Sequence, residues 1–261
     1  MSALIESLDE DQRKVALSLI GPMVVLAGAG SGKTRAITHR IAYGIETGVY
    51  APDKVLALSF TTKAAGEMRS RLAHLGVNGV ACRTFHATAL SHLSNFWPAV
   101  IGGDLPSVRS GKAALLTMAA DQLSLKLTTE TLRGVASEIE WRKVRMMSPA
   151  QYAEIVETRP IPQAITADIA LSLMAAYERI KDARRELDFE DVLLLDLGMI
   201  ENEERVAARI REQLKFFVVD EYQDVSPVQR ALLDAWRGER ADVCVVGDPN
   251  QTIFSFAGAS A

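Results

Sequence analysis

The segment Met23-Val24-Val25-Leu26-Ala27-Gly28-Ala29-Gly30-Ser31-Gly32-Lys33-Thr34 places a short apolar run directly before a glycine-rich turn. The run predicts a buried strand, and a helix is expected to follow from about Lys33 through Arg40. Glycines let the N–H groups of such a turn point inward at an anion, and the helix adds its positive dipole end. Lys33 would then reach the β- and γ-phosphates, and the Thr34 hydroxyl would hold Mg²⁺. The strict pattern has glycine at Ala27, but the strand and helix context favours a triphosphate site over a chance glycine-rich turn.

The bulk composition is that of a globular protein. The 261 residues, 48% of them hydrophobic, suffice for one large or two ordinary domains. A net charge of −4 does not indicate a nucleic-acid binder, although a binding groove needs only local positive charge. Cys82 and Cys244 lie in strand-like runs and are predicted to be buried, reduced thiols. We find no basic-then-apolar leader and no apolar run near the ~20 residues that span a bilayer, and therefore expect a cytoplasmic protein without a membrane partner.

Strands and helices alternate at both ends of the sequence, which predicts parallel βαβ units. The predicted strands are Met23–Leu26, Val55–Ser59, Val80–Thr84, Phe216–Val219 and Val243–Val246. The predicted helices between them are roughly Ser31–Thr47, Lys63–Leu75 and Ser226–Trp236.

The middle of the chain follows a different pattern. From about Gly102 to Arg185 the apolar spacing is helical, which predicts an all-helical insertion inside an α/β domain. The expected organisation is therefore a domain formed by residues 1–100 and 187–261, with a helical subdomain at 101–186. Two basic clusters, Trp141–Arg145 and Lys181–Arg185, fit solvated helix faces and a nucleic-acid surface equally well.

A second chemical signal is the string Phe216-Phe217-Val218-Val219-Asp220-Glu221. Its apolar residues predict a buried strand with two carboxylates at the carboxyl end, where open α/β sheets bind ligands. Asp220 would bind Mg²⁺ opposite Thr34, and Glu221 is placed to act as general base on the attacking water. After another strand, Gln251 lies in a polar turn and is predicted to sense the γ-phosphate.

A third segment, Phe60-Thr61-Thr62-Lys63, ends a strand with an aromatic ring, two hydroxyls and a lysine. This mixture suits base stacking and phosphate contacts with single-stranded nucleic acid. The alternative is an ordinary helix N-cap beside a core phenylalanine.

Together these segments resemble UvrD/Rep/PcrA-type superfamily 1 DNA helicases. The segments that carry the resemblance are Ala27–Thr34, Ser59–Arg71, Thr84-Phe85-His86, Asp188-Phe189-Glu190-Asp191, Asp220–Asp224 and Gly247–Ala259. The string Asp220–Asp224 is the most specific of them. The resemblance implies an α/β, RecA-like P-loop NTPase domain with a mostly parallel sheet, interrupted by the helical subdomain. It also implies ATP and Mg²⁺ as ligands, and single-stranded DNA and single-strand/duplex junctions as partners of a nucleoid-associated 3′–5′ translocase.

The resemblance also assigns roles. Lys33, Glu221 and Gln251 would be catalytic, and Thr34 and Asp220 would bind the metal. Gln12 would read both hydrogen-bonding groups of the adenine edge. The other nucleotide contacts implied are Ala27, Gly28, Ala29, Gly30, Ser31, Gly32, Lys33, Thr34 and Arg35. The DNA contacts implied are Phe60, Thr61, Lys63, His86 and Phe256, with a core histidine as the alternative for His86.

Three departures from the family pattern are visible. Asp9 stands where the family usually has Asn, and Phe256-Ala257-Gly258-Ala259 stands where many members have Trp-Arg-Gly-Ala. The sequence reaches Ala261 without the family's second RecA-like domain, which supplies arginines to the γ-phosphate. We therefore expect these 261 residues alone to bind Mg-ATP weakly and to hydrolyse it negligibly. A helicase–nuclease, a non-catalytic binding module and an RNA helicase are the alternatives.

Overall fold

The computed structural model describes residues 2–28 and 30–251. Its strands are β1 (Met23–Leu26), β2 (Val55–Leu58), β3 (Ala81–Arg83), β4 (Ser107–Val108), β5 (Glu186–Leu187), β6 (Phe216–Val219) and β7 (Val243–Gly247). Five of them form one sheet in the order β1-β7-β6-β2-β3, and all neighbouring pairs in it are parallel. The prediction of an α/β domain with a mostly parallel sheet is thus confirmed.

Helices connect the strands and form the insertion. They are α1 (Ala3–Glu6), α2 (Glu10–Leu17), α3 (Lys33–Glu46), α4 (Thr62–His74), α5 (Phe85–Val100), α6 (Ala113–Gln122), α7 (Thr129–Val144), α8 (Pro149–Ile155), α9 (Ala167–Ala183), α10 (Phe189–Asn202), α11 (Glu204–Gln213) and α12 (Pro227–Arg237). Several begin after a Ser, Thr or Asp whose side chain accepts a first-turn amide, which satisfies an N–H group that has no partner within the helix. Among the described residues, no helix has the length and apolarity needed to cross a membrane.

The sheet is covered on both faces, so alternate strand residues enter different cores. In β2, Leu56 packs with α5, α10, α11 and α12, whereas Val55 on the other face packs with α3 and α4. Cys82 and Cys244 are buried free thiols in the second of these cores, as predicted. Burial on both faces explains why these strands are continuous apolar runs rather than alternating ones.

Strand β1 is less buried than predicted. It lies at the end of the strand order, and Val24 and Leu26 are 68% and 70% exposed. Met23 and Val25 point to the opposite face and pack against the core beneath α3. The apolar run therefore identified a strand correctly, but an edge strand in this structure has one covered face.

The insertion has its own core, built by α6, α7, α8 and α9. The segment predicted as helical also contains one feature that the apolar spacing did not indicate. Strands β4 and β5 form a two-stranded parallel sheet where the chain enters and leaves the insertion. The Arg109 guanidinium donates two hydrogen bonds to the Glu186 carboxylate, at 2.6 and 2.7 Å, and so joins the two ends of the subdomain.

The lysines of the two basic clusters lie neither on a solvated face nor on a nucleic-acid surface. Lys143 and Lys181 are 2% and 3% exposed. Lys143 Nζ lies 2.6 Å from Asp188 and 2.7 Å from Asp191, and Lys181 Nζ lies 2.5 Å from Asp191. Although burial opposes its charge, these carboxylates and Glu178 raise the pKa of Lys143. The clusters thus attach α7 and α9 of the insertion to the start of α10.

Predicted and observed boundaries agree within two residues for the strands. The helix after the glycine-rich turn extends to Glu46, beyond the first expected end at Arg40 and close to the broader estimate of Ser31–Thr47. Helices α10 and α11 fill the stretch between the insertion and β6, for which no element was predicted.

Candidate nucleotide and nucleic-acid site

The glycine-rich turn joins β1 to α3 at the carboxyl edge of the sheet. Gly30 and Gly32 have φ angles of +74° and +81°, a backbone conformation that residues other than glycine rarely adopt. Gly32 also precedes the first residue of α3, Lys33, and a Cβ at Gly32 would lie 2.4 Å from the Gln12 side chain. Because Gly32 has no side chain to cap α3, the first-turn amides are left to bind an external anion.

Neighbouring contacts fix the rest of the turn. Ala27 N–H donates to the Gly247 carbonyl of β7 at 3.2 Å, which continues the sheet pairing by one residue. The Ser31 hydroxyl donates to the Gly28 carbonyl at 2.8 Å and closes the loop on itself. Ala29, another predicted nucleotide contact, lies outside the described residues.

Thr34 and Asp220, which are 186 residues apart in sequence, meet at this edge. The Thr34 hydroxyl donates to Asp220 Oδ2 at 3.0 Å. Asp220 follows β6, and its N–H donates to the Leu58 carbonyl of β2, which fixes its backbone. Burial, and then the nearby charge of Glu221, raise the pKa of Asp220, whereas Lys33 acts in the opposite direction. A hydroxyl and a carboxylate in contact are the hard oxygen donors that Mg²⁺ prefers, so these residues fit the predicted metal.

Glu221 occupies a left-handed backbone conformation with φ of +52°. Gln223 Nε2 donates to the Glu221 carboxylate at 2.7 Å, and Gln223 Oε1 accepts from the Asp248 N–H at 3.0 Å. Gly247 makes room for this bridge, since a Cβ there would lie 2.6 Å from Gln223 Oε1. The Gln251 amide donates to the Asp248 carboxylate. Gln223 therefore links the acidic pair to the turn that carries Gln251.

No role for Gln223 was predicted from the sequence. The residue belongs to the string Asp220–Asp224, but an amide two residues beyond a carboxylate carries no signal of its own. Its bridging position depends on β6 and β7 being neighbours in the sheet, which the local sequence does not encode.

Gln12 lies over the glycine-rich turn. Asp9 caps α2 by accepting the Gln12 N–H at 2.8 Å, so the aspartate serves as a helix cap here. Gln12 Nε2 donates to the Ser31 carbonyl at 3.2 Å, and its Oε1 is buried with no hydrogen-bond partner among the described residues. A cleft of about 400 Å³ beside it is lined by Gln12, Val15, Val25, Ala27 and Lys33, among others. An unpartnered buried acceptor favours a ligand with an N–H group in this cleft.

Arg35, another predicted nucleotide contact, has a different partner. Its guanidinium donates to the Ser7 carbonyl at 2.7 Å and so ties α3 to the turn between α1 and α2. Its predicted contact with nucleotide requires this bond to be shared or exchanged.

A second cleft, of about 370 Å³, opens beyond the carboxyl ends of β2 and β3. Its lining is aromatic, aliphatic and hydroxylic: Phe60, Thr61, Thr62, Thr84, His86, Ala87, Leu90, Val108, Phe189 and Val192. Thr61 is also the N-cap of α4 and accepts the Ala64 N–H at 3.1 Å. Thr61 thus has the capping role that was the alternative, and it still lines the cleft. Lys63 is exposed in the first turn of α4.

Phe189 also lines this cleft, and no role was assigned to it from the sequence. Its ring is centred 4.5 Å from that of His86, and the residue is 49% exposed although it is a large aromatic. As the first residue of α10, it is held by its neighbour Asp188, which caps that helix. An exposed phenylalanine ring beside a more buried histidine ring in the lining of a cleft favours a planar ligand. Phe256, also predicted to contact DNA, lies outside the described residues.

Burial lowers the pKa of His86 from its usual 6.5 to about 4, so its ring is neutral near pH 7. As the pH falls, His86 becomes protonated at a higher pH in the unfolded chain than in the folded protein. The free energy of unfolding should therefore decrease from about pH 6.5 towards pH 4. Urea unfolding across that range should show a smaller loss for His86→Phe, whose ring cannot titrate. Equal losses in the two proteins would contradict this environment for His86.

A larger cleft of about 480 Å³ lies elsewhere, along β3, α5 and α11. It contains no residue of the predicted sites. Its size alone therefore does not mark it as the functional site, because the chemical groups brought together from distant parts of the chain lie at the carboxyl edge of the sheet.

Comparison with known proteins agrees with this geometry. A family model described as the UvrD/REP helicase N-terminal domain matches residues 8–261. The chain is 45% identical to the ATP-dependent DNA helicase UvrD2 of Mycobacterium tuberculosis (strain ATCC 25618 / H37Rv), with 98% of the chain and 38% of that protein covered. It is 31% identical to the ATP-dependent DNA helicase Rep of Escherichia coli K12, covering 97% of the chain and 37% of Rep.

A third relative extends the comparison. The ATP-dependent DNA helicase PcrA of Leuconostoc citreum is 30% identical over all of the chain and 35% of its own length. The chain thus spans somewhat more than a third of the length of the curated relatives it matches. The sheet-edge site and these matches together show that the chain belongs to the UvrD/REP helicase family and corresponds to its N-terminal domain.

Proposed function

We propose that this chain is the ATP-binding and single-strand-binding portion of an ATP-dependent DNA helicase. The observation that carries the proposal is the meeting of Thr34, Asp220 and the bridged Glu221 beside the glycine-rich turn. The aromatic cleft on the same sheet edge supports a second ligand. Three relatives bear the name ATP-dependent DNA helicase, which supports DNA as that ligand.

In this proposal the glycine-rich turn binds the triphosphate. Lys33 and the first-turn amides of α3 contact the phosphates, and Thr34 and Asp220 hold Mg²⁺. The metal, when bound, neutralises phosphate charge that develops during hydrolysis. Glu221 orients a water molecule and accepts its proton, so it acts as general base.

The bridging amide has a distinct role in the same scheme. Gln223 holds the Glu221 carboxylate in position and is itself fixed by the Asp248 N–H. Gln251, hydrogen-bonded to Asp248, is then placed to contact the γ-phosphate. A change at the phosphate would thus reach the turn after β7, which leads to the segment that carries Phe256.

The nucleobase is proposed to lie against Gln12. Adenine presents an N–H₂ donor and a ring-nitrogen acceptor along one edge, and an amide side chain can match both groups. Gln12 has an unpartnered Oε1 that accepts and an Nε2 that donates, and its backbone is fixed by Asp9. Binding adenine requires Nε2 to leave the Ser31 carbonyl or to be shared with it.

Single-stranded DNA is proposed to occupy the aromatic cleft. Unpaired bases stack on rings without sequence preference, and Phe60, His86 and Phe189 provide such rings. Thr61 and Lys63 are placed to contact phosphates. Binding at a single-strand/duplex junction, 3′–5′ movement and association with the nucleoid form the finer part of the proposal.

The DNA assignment is tested at Phe189, which has no predicted role in the nucleotide site. Phe189→Ala should weaken binding of a labelled oligothymidine by about 1–3 kcal/mol, the usual value of one stacked base. Ile101→Ala is the matched control, because it also shortens an exposed apolar side chain. Ile101 is 61% exposed and follows the carboxyl end of α5, whereas the cleft lies at the amino end of that helix. Equal affinity of the Phe189 variant and the control would show that the cleft is not the DNA site.

A further inference from the structure

Arg40 is an arginine buried in the interior of α3, two turns after Lys33 and Thr34. It is 2% exposed and is among the largest fully buried side chains. Its Nη1 donates to the Val15 carbonyl at 3.1 Å, and its Nη2 donates to the Leu19 carbonyl at 3.2 Å. A buried guanidinium is costly to desolvate, and the two main-chain carbonyls offset part of this cost.

The two carbonyls belong to the end of α2 and to the connection that follows it. Val15 lies in the last turn of α2, and Leu19 lies between α2 and β1. The Tyr50 hydroxyl also donates to the Leu19 carbonyl, which strengthens the attachment at this point. Arg40 therefore fastens the carboxyl end of α2 and the connection after it to α3, and Tyr50, which follows α3 in the chain, holds the same connection.

Gln12 lies three residues before Val15, one helical turn away on the same short helix. The other end of α2 is held by the Asp9 cap, which is formed within the helix itself. Among the contacts that join α2 to α3, the Arg40 bonds are those nearest in sequence to Gln12 that fix the main chain. The Arg40 bonds therefore fix the main chain one turn beyond Gln12, alongside the packing of Val15 and Ala16 against the core.

We propose that Arg40 is a positioning residue for nucleobase recognition, which holds α2 so that Gln12 faces the base. The proposal rests on the proposed nucleotide site. One helix, α3, would then bind the phosphates at its first turn and set the position of the base-reading side chain two turns later. Arg40 does not touch the nucleotide in this scheme and acts only through α2.

The guanidinium suits this task better than an ammonium group would. Its planar fork supplies two donors on separate nitrogens, which reach carbonyls four residues apart at the same time. A lysine at this position carries all its N–H donors on one nitrogen, which cannot take the places of two separated nitrogens, so both attachments would be longer and weaker. Arg40→Lys should therefore show a partial effect and Arg40→Met the full one.

The test measures the ATP and GTP dissociation constants of the chain by competition against a fluorescent ATP analogue. Gln12→Ala should lower the preference for ATP over GTP about tenfold, the value of one or two lost hydrogen bonds. Arg40→Met should lower the same preference nearly as much, and Arg40→Lys about threefold. The double variant Gln12→Ala/Arg40→Lys should lose no more preference than Gln12→Ala alone, because both changes act on one contact.

The matched control is Arg142→Met. Arg142 is also a buried arginine, and it donates to the Met147 carbonyl in the insertion. This variant should lose stability without changing the ATP preference. If Arg40→Met does not fold, the Arg40→Lys variant decides the question. A preference of folded Arg40→Lys for ATP over GTP equal to that of the parent chain would overturn the inference. If Gln12→Ala leaves the preference unchanged, the proposed base reader is wrong and the role of Arg40 falls with it. If Gln12→Ala lowers the preference for ATP and the Arg40 variants do not, only the role of Arg40 is contradicted.

Discussion

Replacing Lys33 with alanine is expected to weaken Mg-ATP binding by about 100-fold or more. Lys33 is the first residue of α3 and directly follows the glycine-rich turn. Loss of a charge-assisted contact to a phosphate costs about 1.5–3 kcal/mol, and Lys33 is proposed to serve two phosphates. The measurement is equilibrium binding of a fluorescent ATP analogue in the presence of Mg²⁺.

The control for this variant is Lys126→Ala. Lys126 is exposed in the loop between α6 and α7. Its replacement removes the same charge without touching the sheet edge. The Lys126 variant should bind nucleotide as the parent does. Wild-type affinity in the Lys33 variant would mean that the turn does not bind a triphosphate.

In a protein that joins this chain to a second RecA-like domain, replacing Glu221 with glutamine is expected to reduce ATP hydrolysis in the presence of single-stranded DNA by about 10²–10⁴-fold, the usual contribution of a general base. ATP affinity should change little, because glutamine keeps the shape of the side chain; it removes the negative charge and with it the ability to accept the proton. The substitution also keeps an acceptor for the Gln223 amide. Steady-state turnover and nucleotide binding are measured on the same preparation.

Glu212→Gln provides the comparison for Glu221. Glu212 is exposed on α11, where its carboxylate pairs with Arg209, and its replacement removes the same charge at a distance from the site. If the Glu221 variant hydrolysed ATP at nearly the parental rate, Glu221 would not be the general base. A parallel loss in the Glu212 variant would attribute the effect to net charge.

Local sequence was sufficient to predict most of the sheet and one wall of the site. The run Met23–Leu26, the turn after it and the start of α3 are contiguous in sequence, so the phosphate-binding groups could be predicted from neighbouring residues. The same holds for Asp220 and Glu221, which follow a strand that packs on both faces. Parallel sheets gather the carboxyl ends of their strands, which is why two distant motifs were expected at one edge.

The residues that the sequence did not reveal owe their roles to contacts between distant segments. Phe189 meets His86 only because α5 and α10 pack against each other. The two lysines of the insertion look like surface charges in a helical pattern, and their partners Asp188 and Asp191 lie up to 48 residues away. The exposed face of β1 likewise depends on strand order rather than on its own apolar residues.

The central claim is that two separate ligand sites lie on one sheet edge, one for ATP and one for single-stranded DNA. It is tested by measuring a non-hydrolysable ATP analogue and a labelled oligothymidine on three proteins: the parent chain, Lys33→Ala and Phe189→Ala. The Lys33 variant should lose affinity for nucleotide and keep its affinity for DNA, and the Phe189 variant should lose affinity for DNA and keep its affinity for nucleotide. Loss of both ligands by either folded variant, or binding of neither ligand by the parent chain, would contradict this claim.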